Sequence, residues 1–201
     1  MSRTEIRITG FGGQGVVLSG YVIGRACAVN AGLHATMIQS FGPEARGSAC
    51  SSTVTVSDSE VLYPYIHRPD VFVVMSTEGY DNFRDELKDD GILIYEKDLV
   101  HPKLKEGQPS FGCPSTRLAE SLGRAIVQNI VMLGFFAAVT RLVPHEAMRN
   151  AVKDSVPPGT EDLNLRAFDA GADYFGQEYG AGATAPGQTE VAAVVAGSAG
   201  G

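Results

Sequence analysis

A glycine loop between a short strand and a helix restricts the fold of this chain more than any other stretch. Glycines stand at positions 10, 12 and 15, after the strand pattern Glu5–Thr9 and before a helical pattern from about Gln14 to Asn30. Small residues in such a loop let the backbone approach an anion, and the following helix presents free N–H groups to it. The pattern therefore indicates an α/β fold with an anion-binding turn after its first strand.

Strand and helix patterns alternate along the rest of the chain. Strands are predicted at His34–Ser40, Val71–Met75 and Ile92–Tyr95, and a hairpin from Ser51 to Tyr63. Helices are predicted at about 78–87, 115–122, 125–143 and 145–153, and a last one is capped by Asn164. This alternation favours a Rossmann-like three-layer α/β domain, with a mostly parallel sheet and helices on both faces.

Length and composition favour one domain at residues 1–180, followed by a Gly/Ala-rich tail at 181–201. The tail offers no apolar side chain larger than valine, so we predict that it is disordered. The formal net charge of the 201 residues is −7. Broad nucleic-acid binding needs a basic surface that displaces counterions, so we predict no nucleic-acid partner.

The cysteines and the longest apolar run exclude several other classes of protein. Three cysteines lie far apart without a C-x-x-C pair, so the chain cannot ligate a four-cysteine iron–sulfur cluster, and the histidines show no metal-binding spacing. The apolar run 125–143 contains Gln128, Asn129 and Arg141, which predicts a buried helix and no membrane span. Asn129 is interpreted as a core amide that bonds neighbouring backbone. No signal-peptide pattern is visible, so we expect a cytoplasmic protein.

The second strand argues against a nicotinamide or flavin nucleotide in the glycine loop. Such sites have an acidic residue near the end of that strand, which holds the ribose hydroxyls. Here the strand ends in Gln39 and Ser40, the first carboxylate is Glu44, and Arg46 is the one nearby arginine. The remaining alternatives are a phosphate-bearing ligand, a partner's loop, or glycines that only permit a tight turn.

A second loop, Ser40–Ser48, follows this strand. The carboxyl ends of neighbouring strands meet at one edge of a doubly wound sheet, so we expect this loop to lie beside the first. Arg46 either binds a phosphate or carboxylate, as its planar fork suits, or forms a solvated pair with Glu44. The candidate ligand-binding residues of the two loops are Gly12, Gly13, Gln14, Gly15, Ser40, Gly42, Pro43, Glu44, Arg46 and Gly47.

Taken together, the two loops resemble a known family. Gly12–Gly15, Phe41–Gly47, Pro69-Asp70, Pro114–Thr116 and Asn129–Gly134 resemble the gamma subunit of the 2-oxoacid:ferredoxin oxidoreductases. Asn164, Ala167-Phe168 and Gly171 extend the resemblance, which covers about residues 3–176. Val156–Thr160 and the length are most similar to the 2-oxoglutarate type. Ser48 replaces a glycine that many relatives have, and the tail is not a family feature.

The resemblance implies a subunit without catalytic residues of its own, inactive alone. The complex would convert a 2-oxoacid and coenzyme A to an acyl-CoA and reduce ferredoxin. This chain would help bind coenzyme A and assemble the complex. Thiamine diphosphate, magnesium and the iron–sulfur clusters would belong to partner chains, namely thiamine-binding alpha and beta subunits and an iron–sulfur, delta-type subunit. A pyruvate, branched-chain, indolepyruvate or phenylglyoxylate enzyme, or an assembly module that binds no ligand, remains the alternative.

Overall fold

The computed structural model describes residues 3–41 and 49–180, which contain a six-stranded sheet. The strands are β1 (Arg3–Phe11), β2 (His34–Phe41), β3 (Ala49–Ser57), β4 (Val71–Val74), β5 (Ile92–Glu96) and β6 (Ser110–Cys113). Their spatial order is β2-β3-β1-β4-β5-β6. The predicted tail at 181–201 lies outside the described residues, so its disorder stays a prediction.

The sheet is parallel on one side of β1 and antiparallel on the other. The pairs β1–β4, β4–β5 and β5–β6 are parallel, whereas β3 runs antiparallel to both β1 and β2. The predicted α/β class with a mostly parallel sheet is therefore confirmed. The predicted hairpin is wrong, because β3 pairs with β1 and β2 and the described residues 60–63 form no strand.

Six α-helices lie in the described residues. They are α1 (Val16–Arg25, extended by the π-helical turn Ala26–Asn30), α2 (Thr77–Phe83), α3 (Ser115–Ser121), α4 (Gln128–Thr140), α5 (His145–Ser155) and α6 (Glu161–Tyr179). Gly32 ends the first helical segment with a φ of 69°, as the sequence predicts. Asn164 does not cap α6 but lies inside it, where its Nδ2 donates to the carbonyl of Thr160 at 2.8 Å.

The two faces of the sheet carry unequal layers. Ile6, Ile8 and Val73 point into the larger core, which α1, α4, α5 and α6 complete. Phe72 and Leu93 point to the other face, where Tyr80 and Leu87 from the α2 region cover them. Helices therefore cover both faces, as predicted, but one face has a single short helix. No helix of the described chain is long and apolar enough to span a bilayer.

Glycines bring α4 and α6 into backbone contact. A β-carbon at Gly134 would lie 1.8 Å from the carbonyl oxygen of Phe168, and one at Gly171 would lie 1.9 Å from that of Val131. The two helices thus touch at two reciprocal points, each with a glycine on one helix and a carbonyl on the other. This contact sets how closely α4 and α6 pack.

Candidate functional site

The glycine loop turns the chain sharply from β1 into α1. Gly13 and Gly15 have φ values of 98° and 72°, which other residues adopt only with strain. The N–H of Gln14 donates to the carbonyl of Phe11 at 3.1 Å, and the carbonyl of Gly15 accepts from the N–H of Ser19 at 2.9 Å. The predicted strand–loop–helix turn is therefore present.

The side chain of Gln14 holds this turn in place. Its Oε1 accepts from the N–H of Phe11 at 2.6 Å, and its Nε2 donates to the carbonyl of Met75 at 3.1 Å. A β-carbon at Gly10 would lie 2.6 Å from the same Oε1, so position 10 must be glycine for the Gln14 side chain to take this place. Both ends of the Gln14 amide thus bind backbone. A ligand bound in the loop would therefore contact main-chain N–H groups and not the Gln14 side chain.

The outer side of the loop is open. Gly12 and Gly13 are exposed, and a β-carbon at Gly13 would meet no atom within 4 Å. No described residue accepts a hydrogen bond from the N–H groups of Val16, Val17 and Leu18 in the first turn of α1. Unpaired N–H groups and the positive end of the helix dipole together favour an anion.

Asn129 lies against the inner side of the loop. The residue is 4% exposed, and its Nδ2 lies 2.4 Å from the position that a β-carbon of Gly15 would take. The interpretation of Asn129 as an amide that bonds neighbouring backbone is wrong for the described residues, because its side chain makes no hydrogen bond to any of them. Nothing in the sequence around Asn129 indicates that this residue lies beside Gly15.

A buried carboxylate organises the neighbouring part of this edge. Glu96, 1% exposed at the end of β5, accepts hydrogen bonds from the hydroxyl of Ser115, from the N–H of Thr116 at 2.9 Å and from the N–H of Asp98 at 3.1 Å. The hydroxyl of Thr116 also lies 2.9 Å from Oε1 of Gln128, the first residue of α4. These bonds link β5, α3 and the start of α4. In the sequence, the one indication of this network is a carboxylate at the end of an apolar strand.

The crevice between the ends of β1 and β4 is the point where the chain changes direction across the sheet. α1 leaves β1 toward one face and α2 leaves β4 toward the other, and ligands of open α/β sheets bind at such a point. Ser76 caps α2 by accepting from the N–H of Gly79 at 3.1 Å. The glycine loop and the first turn of α1 therefore lie where this fold binds ligands.

The second predicted loop lies mostly outside the described residues. Ser40 is exposed near the end of β2, and its register partner on β3 is Ser51. Gly42, Pro43, Glu44, Arg46 and Gly47 lie outside the described residues. Phe41 and Ala49 flank them, and Ala49 is the register partner of Phe11 in the sheet. β2 is not adjacent to β1, because β3 lies between them, so the ends of β1 and β2 are about 10 Å apart.

The three cysteines are buried free thiols, and their burial gives a pH dependence that can be measured. Burial raises the pKa of Cys27 to about 12, and burial together with Glu96 raises the pKa of Cys113. In the unfolded chain thiols ionise near pH 8.5. The folded state therefore holds these protons more tightly than the unfolded state does. The stabilisation that this difference contributes is fully present below pH 8.5 and is lost as the pH rises. We expect the free energy of unfolding to fall by up to about 1.4 kcal/mol per pH unit per thiol above pH 9, measured by urea titration.

A Cys27→Ala variant is the matched comparison for this pH dependence. It lacks one of the thiol protons that the folded state retains, so its slope above pH 9 should be shallower than that of the parent chain. Equal slopes would contradict the assignment of the effect to Cys27.

Comparisons with known proteins agree on one family. The family model described as pyruvate ferredoxin/flavodoxin oxidoreductase matches residues 5–174. The 2-oxoglutarate synthase subunit KorC of Methanocaldococcus jannaschii is 44% identical over 172 residues, covering 84% of this chain and 92% of that protein. KorC of Methanothermobacter thermautotrophicus is 46% identical over 178 residues, covering 85% of this chain and 94% of that protein.

Solved structures show the same fold. The gamma subunit of a keto/oxoacid ferredoxin oxidoreductase from Geobacter sulfurreducens has a TM-score of 0.75 at 35% identity, covering 85% of this chain and 96% of that subunit. A 2-oxoglutarate:ferredoxin oxidoreductase from Magnetococcus marinus, solved with 2-oxoglutarate, coenzyme A and succinyl-CoA bound, has a TM-score of 0.77 at 24% identity. The match covers 86% of this chain and 31% of that one, and it shows the fold alone.

Proposed function

Because the chain belongs to the pyruvate ferredoxin/flavodoxin oxidoreductase family, as a gamma subunit of the 2-oxoglutarate:ferredoxin oxidoreductase type, we propose that it holds the phosphate groups of coenzyme A at its glycine loop. The observation that carries the proposal is the open side of Gly12 and Gly13 beside the unpaired N–H groups of α1. A diphosphate accepts hydrogen bonds and donates none, which suits a site that offers only donors.

In the proposed reaction the complex consumes a 2-oxoacid and coenzyme A. The bond to the carboxylate breaks and CO2 leaves, and the acyl carbon forms a bond to the thiol sulfur. The thiol proton is released, and two electrons pass to ferredoxin. We propose 2-oxoglutarate as the substrate, since the KorC relatives carry that name. Thiamine diphosphate, magnesium and iron–sulfur clusters on partner chains supply the carbon–carbon and electron-transfer chemistry.

This chain contributes binding and orientation to that reaction. With the phosphates held at the carboxyl edge of the sheet, the pantetheine arm is free to extend to a partner chain. The proposed partners are thiamine-binding alpha and beta subunits, an iron–sulfur delta-type subunit and ferredoxin. Three free, buried thiols suit a reducing compartment, so we propose a cytoplasmic location.

The structure strengthens the argument against a nicotinamide nucleotide. On the side of β1 away from β4, the adjacent strand is the antiparallel β3, whose first residues Ala49, Cys50 and Ser51 lie at the ligand edge. None of them carries the carboxylate that would hold ribose hydroxyls. A module without any ligand is the remaining alternative, and the open donors of the loop favour a ligand over it.

Replacing Arg46 with alanine tests the coenzyme A site. The role of Arg46 rests on the sequence, and a hydrogen bond from a guanidinium to phosphate accounts for roughly a 10- to 150-fold change in affinity. In the intact complex we expect Arg46→Ala to raise the KM for coenzyme A by about 10-fold or more, with the KM for the 2-oxoacid unchanged. Arg166→Ala, at an exposed position on α6, is the matched control. An unchanged KM for coenzyme A in the Arg46→Ala complex would exclude the role of Arg46.

A further inference from the structure

The two edge strands of the sheet differ in how their outer sides are covered. β6 has four residues, and the hydroxyl of Tyr179 on α6 accepts from the N–H of Gly112 at 2.9 Å and donates to its carbonyl at 3.2 Å. β2 has eight residues, and within residues 3–41 and 49–180 no group outside β3 bonds its main chain. A long edge strand with open N–H and C=O groups is a template for another strand.

The hydrogen bonds of the sheet show which residues of β2 face outward. The N–H of Met75 donates to the carbonyl of Thr9, so the odd-numbered residues of β1 face β4 and the even-numbered ones face β3. The register carries this alternation through β3 to β2. Ala35, Met37 and Gln39 therefore direct their N–H and C=O groups away from β3, to the open edge.

β2 also lacks the features that usually block an edge strand. His34–Phe41 contain no lysine, arginine, acidic residue or proline, and the register with β3 runs through them without a bulge. The central side chains Met37 and Ile38 are apolar and only half-buried, whereas the polar residues Gln39 and Ser40 near one end are exposed. An apolar centre beside a polar rim is the usual composition of a protein interface.

The helix above β2 leaves room for a second helix beside it. Gly20 on α1 lies over both β3 and β2, because its β-carbon position is 2.1 Å from Oγ of Ser52 and 3.1 Å from Cε of Met37. Gly24 lies on the same side of α1, four residues later, and a β-carbon there would meet no atom within 4 Å. If a second β2 paired with this one, its α1 would lie about 10 Å from the first, which is the packing distance of two helices.

We propose that β2 is the surface through which two copies of this chain associate, by antiparallel pairing of β2 with β2 about a two-fold axis perpendicular to the sheet. In a register centred on Met37 or Ile38, the outward groups form about six to eight main-chain hydrogen bonds. No two charged residues of β2 then face each other, and the two six-stranded sheets become one continuous sheet. This inference goes beyond the proposed function and does not depend on coenzyme A.

A second copy fits the open edge better than another segment of the same chain. β2 is itself an uncharged strand of the required length, with donors and acceptors in the required alternation. Residues 181–201 are rich in glycine and alanine, and both residue types are depleted in strands. The occupant that the observations favour is therefore β2 of the second copy.

Replacing Gln39 with proline in the full-length chain is the direct test. Proline removes an N–H that faces away from β3, so the β2–β3 hydrogen bonds remain, and edge strands tolerate proline at such positions. Gln39→Ala keeps the N–H and is the matched control. Analytical ultracentrifugation should show a dimer of the 21.2 kDa chain for the parent and for Gln39→Ala. The dissociation constant of the dimer should be about 100-fold higher or more for Gln39→Pro.

A second variant and amide exchange decide the question even if Gln39→Pro does not fold. Ile38→Lys places a charge at the centre of the edge and should abolish the dimer, whereas Ser110→Lys, on the opposite edge strand β6, should leave it intact. In the parent dimer the amide protons of Met37 and Gln39 should exchange slowly, and dilution to the monomer should make them exchange fast. The amide proton of Ile38, which faces β3, should exchange slowly in both states.

Three results would overturn the inference. The first is a parent chain that stays monomeric up to about 100 μM, or a dimer that neither Gln39→Pro nor Ile38→Lys weakens. The second is slow exchange of the Met37 and Gln39 amide protons in the monomer, which would assign the edge to another segment of this chain. The third is slow exchange only in a complex that contains one copy of this chain, which would assign the edge to a partner subunit.

Discussion

Replacing Gly134 with alanine is expected to destabilise the domain by about 3 kcal/mol or more. The new methyl group would lie 1.8 Å from the carbonyl oxygen of Phe168, so α4 and α6 would have to move apart. Overpacking typically costs about 1–3 kcal/mol, and a clash with backbone falls at the upper end because the backbone cannot rotate away as a side chain can. Urea unfolding of the parent and variant chains measures the difference.

Gly176→Ala is the control for this experiment. Gly176 is also a helical glycine, on α6, but a β-carbon there would meet no atom within 4 Å. The same substitution should therefore stabilise the chain by about 0.5–1 kcal/mol through the helix preference of alanine. Equal effects at Gly134 and Gly176 would contradict the close contact between α4 and α6.

Replacing Gly15 with alanine is expected to raise the KM for coenzyme A about 100-fold in the assembled complex. The methyl group would lie 2.4 Å from Nδ2 of Asn129, and the φ of 72° is strained for any residue with a β-carbon. Relief of the clash moves Asn129 or the start of α1, and we propose that the N–H groups at the start of α1 bind the diphosphate. A displacement of about 1 Å in a positioning group is enough for an effect of this size.

Gly32→Ala separates backbone strain from the clash. Gly32 has nearly the same φ, 69°, and no atom lies within 4 Å of its β-carbon position. Its replacement carries the same conformational cost without the clash. The KM for coenzyme A should therefore rise in the Gly15→Ala complex and not in the Gly32→Ala complex. An equal KM in the Gly15→Ala and Gly32→Ala complexes would be evidence against a ligand at the glycine loop.

The fold class followed from local patterns, but the order of the strands did not. The apolar run Val71–Met75 indicated a strand that is covered on both faces, and all five side chains are at most 3% exposed. The turn residues Ser57-Asp58-Ser59 suggested a hairpin into residues 60–63. β3 instead pairs with β1 over nine residues, Arg3 to Phe11. Alternation shows that a segment is a strand, but it does not identify the strand's partner.

The candidate site shows the same limit. The glycine spacing correctly predicted the turn after β1, because the positive φ values of Gly13 and Gly15 are a local requirement. It did not reveal that Gln14 folds back onto Met75 or that Asn129 approaches Gly15. Both contacts depend on how β4 and α4 pack against β1, and no neighbouring residue encodes that packing. Ligand roles for Gly42, Pro43, Glu44, Arg46 and Gly47 stay predictions.

A cryo-electron microscopy structure of the complex purified through this chain, with coenzyme A bound, tests the central proposal most directly. The expected result is density for the coenzyme A diphosphate within hydrogen-bond distance of the N–H groups that follow Gly13. A diphosphate held entirely by partner chains, with the glycine loop facing solvent or protein, would contradict the account and leave this chain a role in assembly alone.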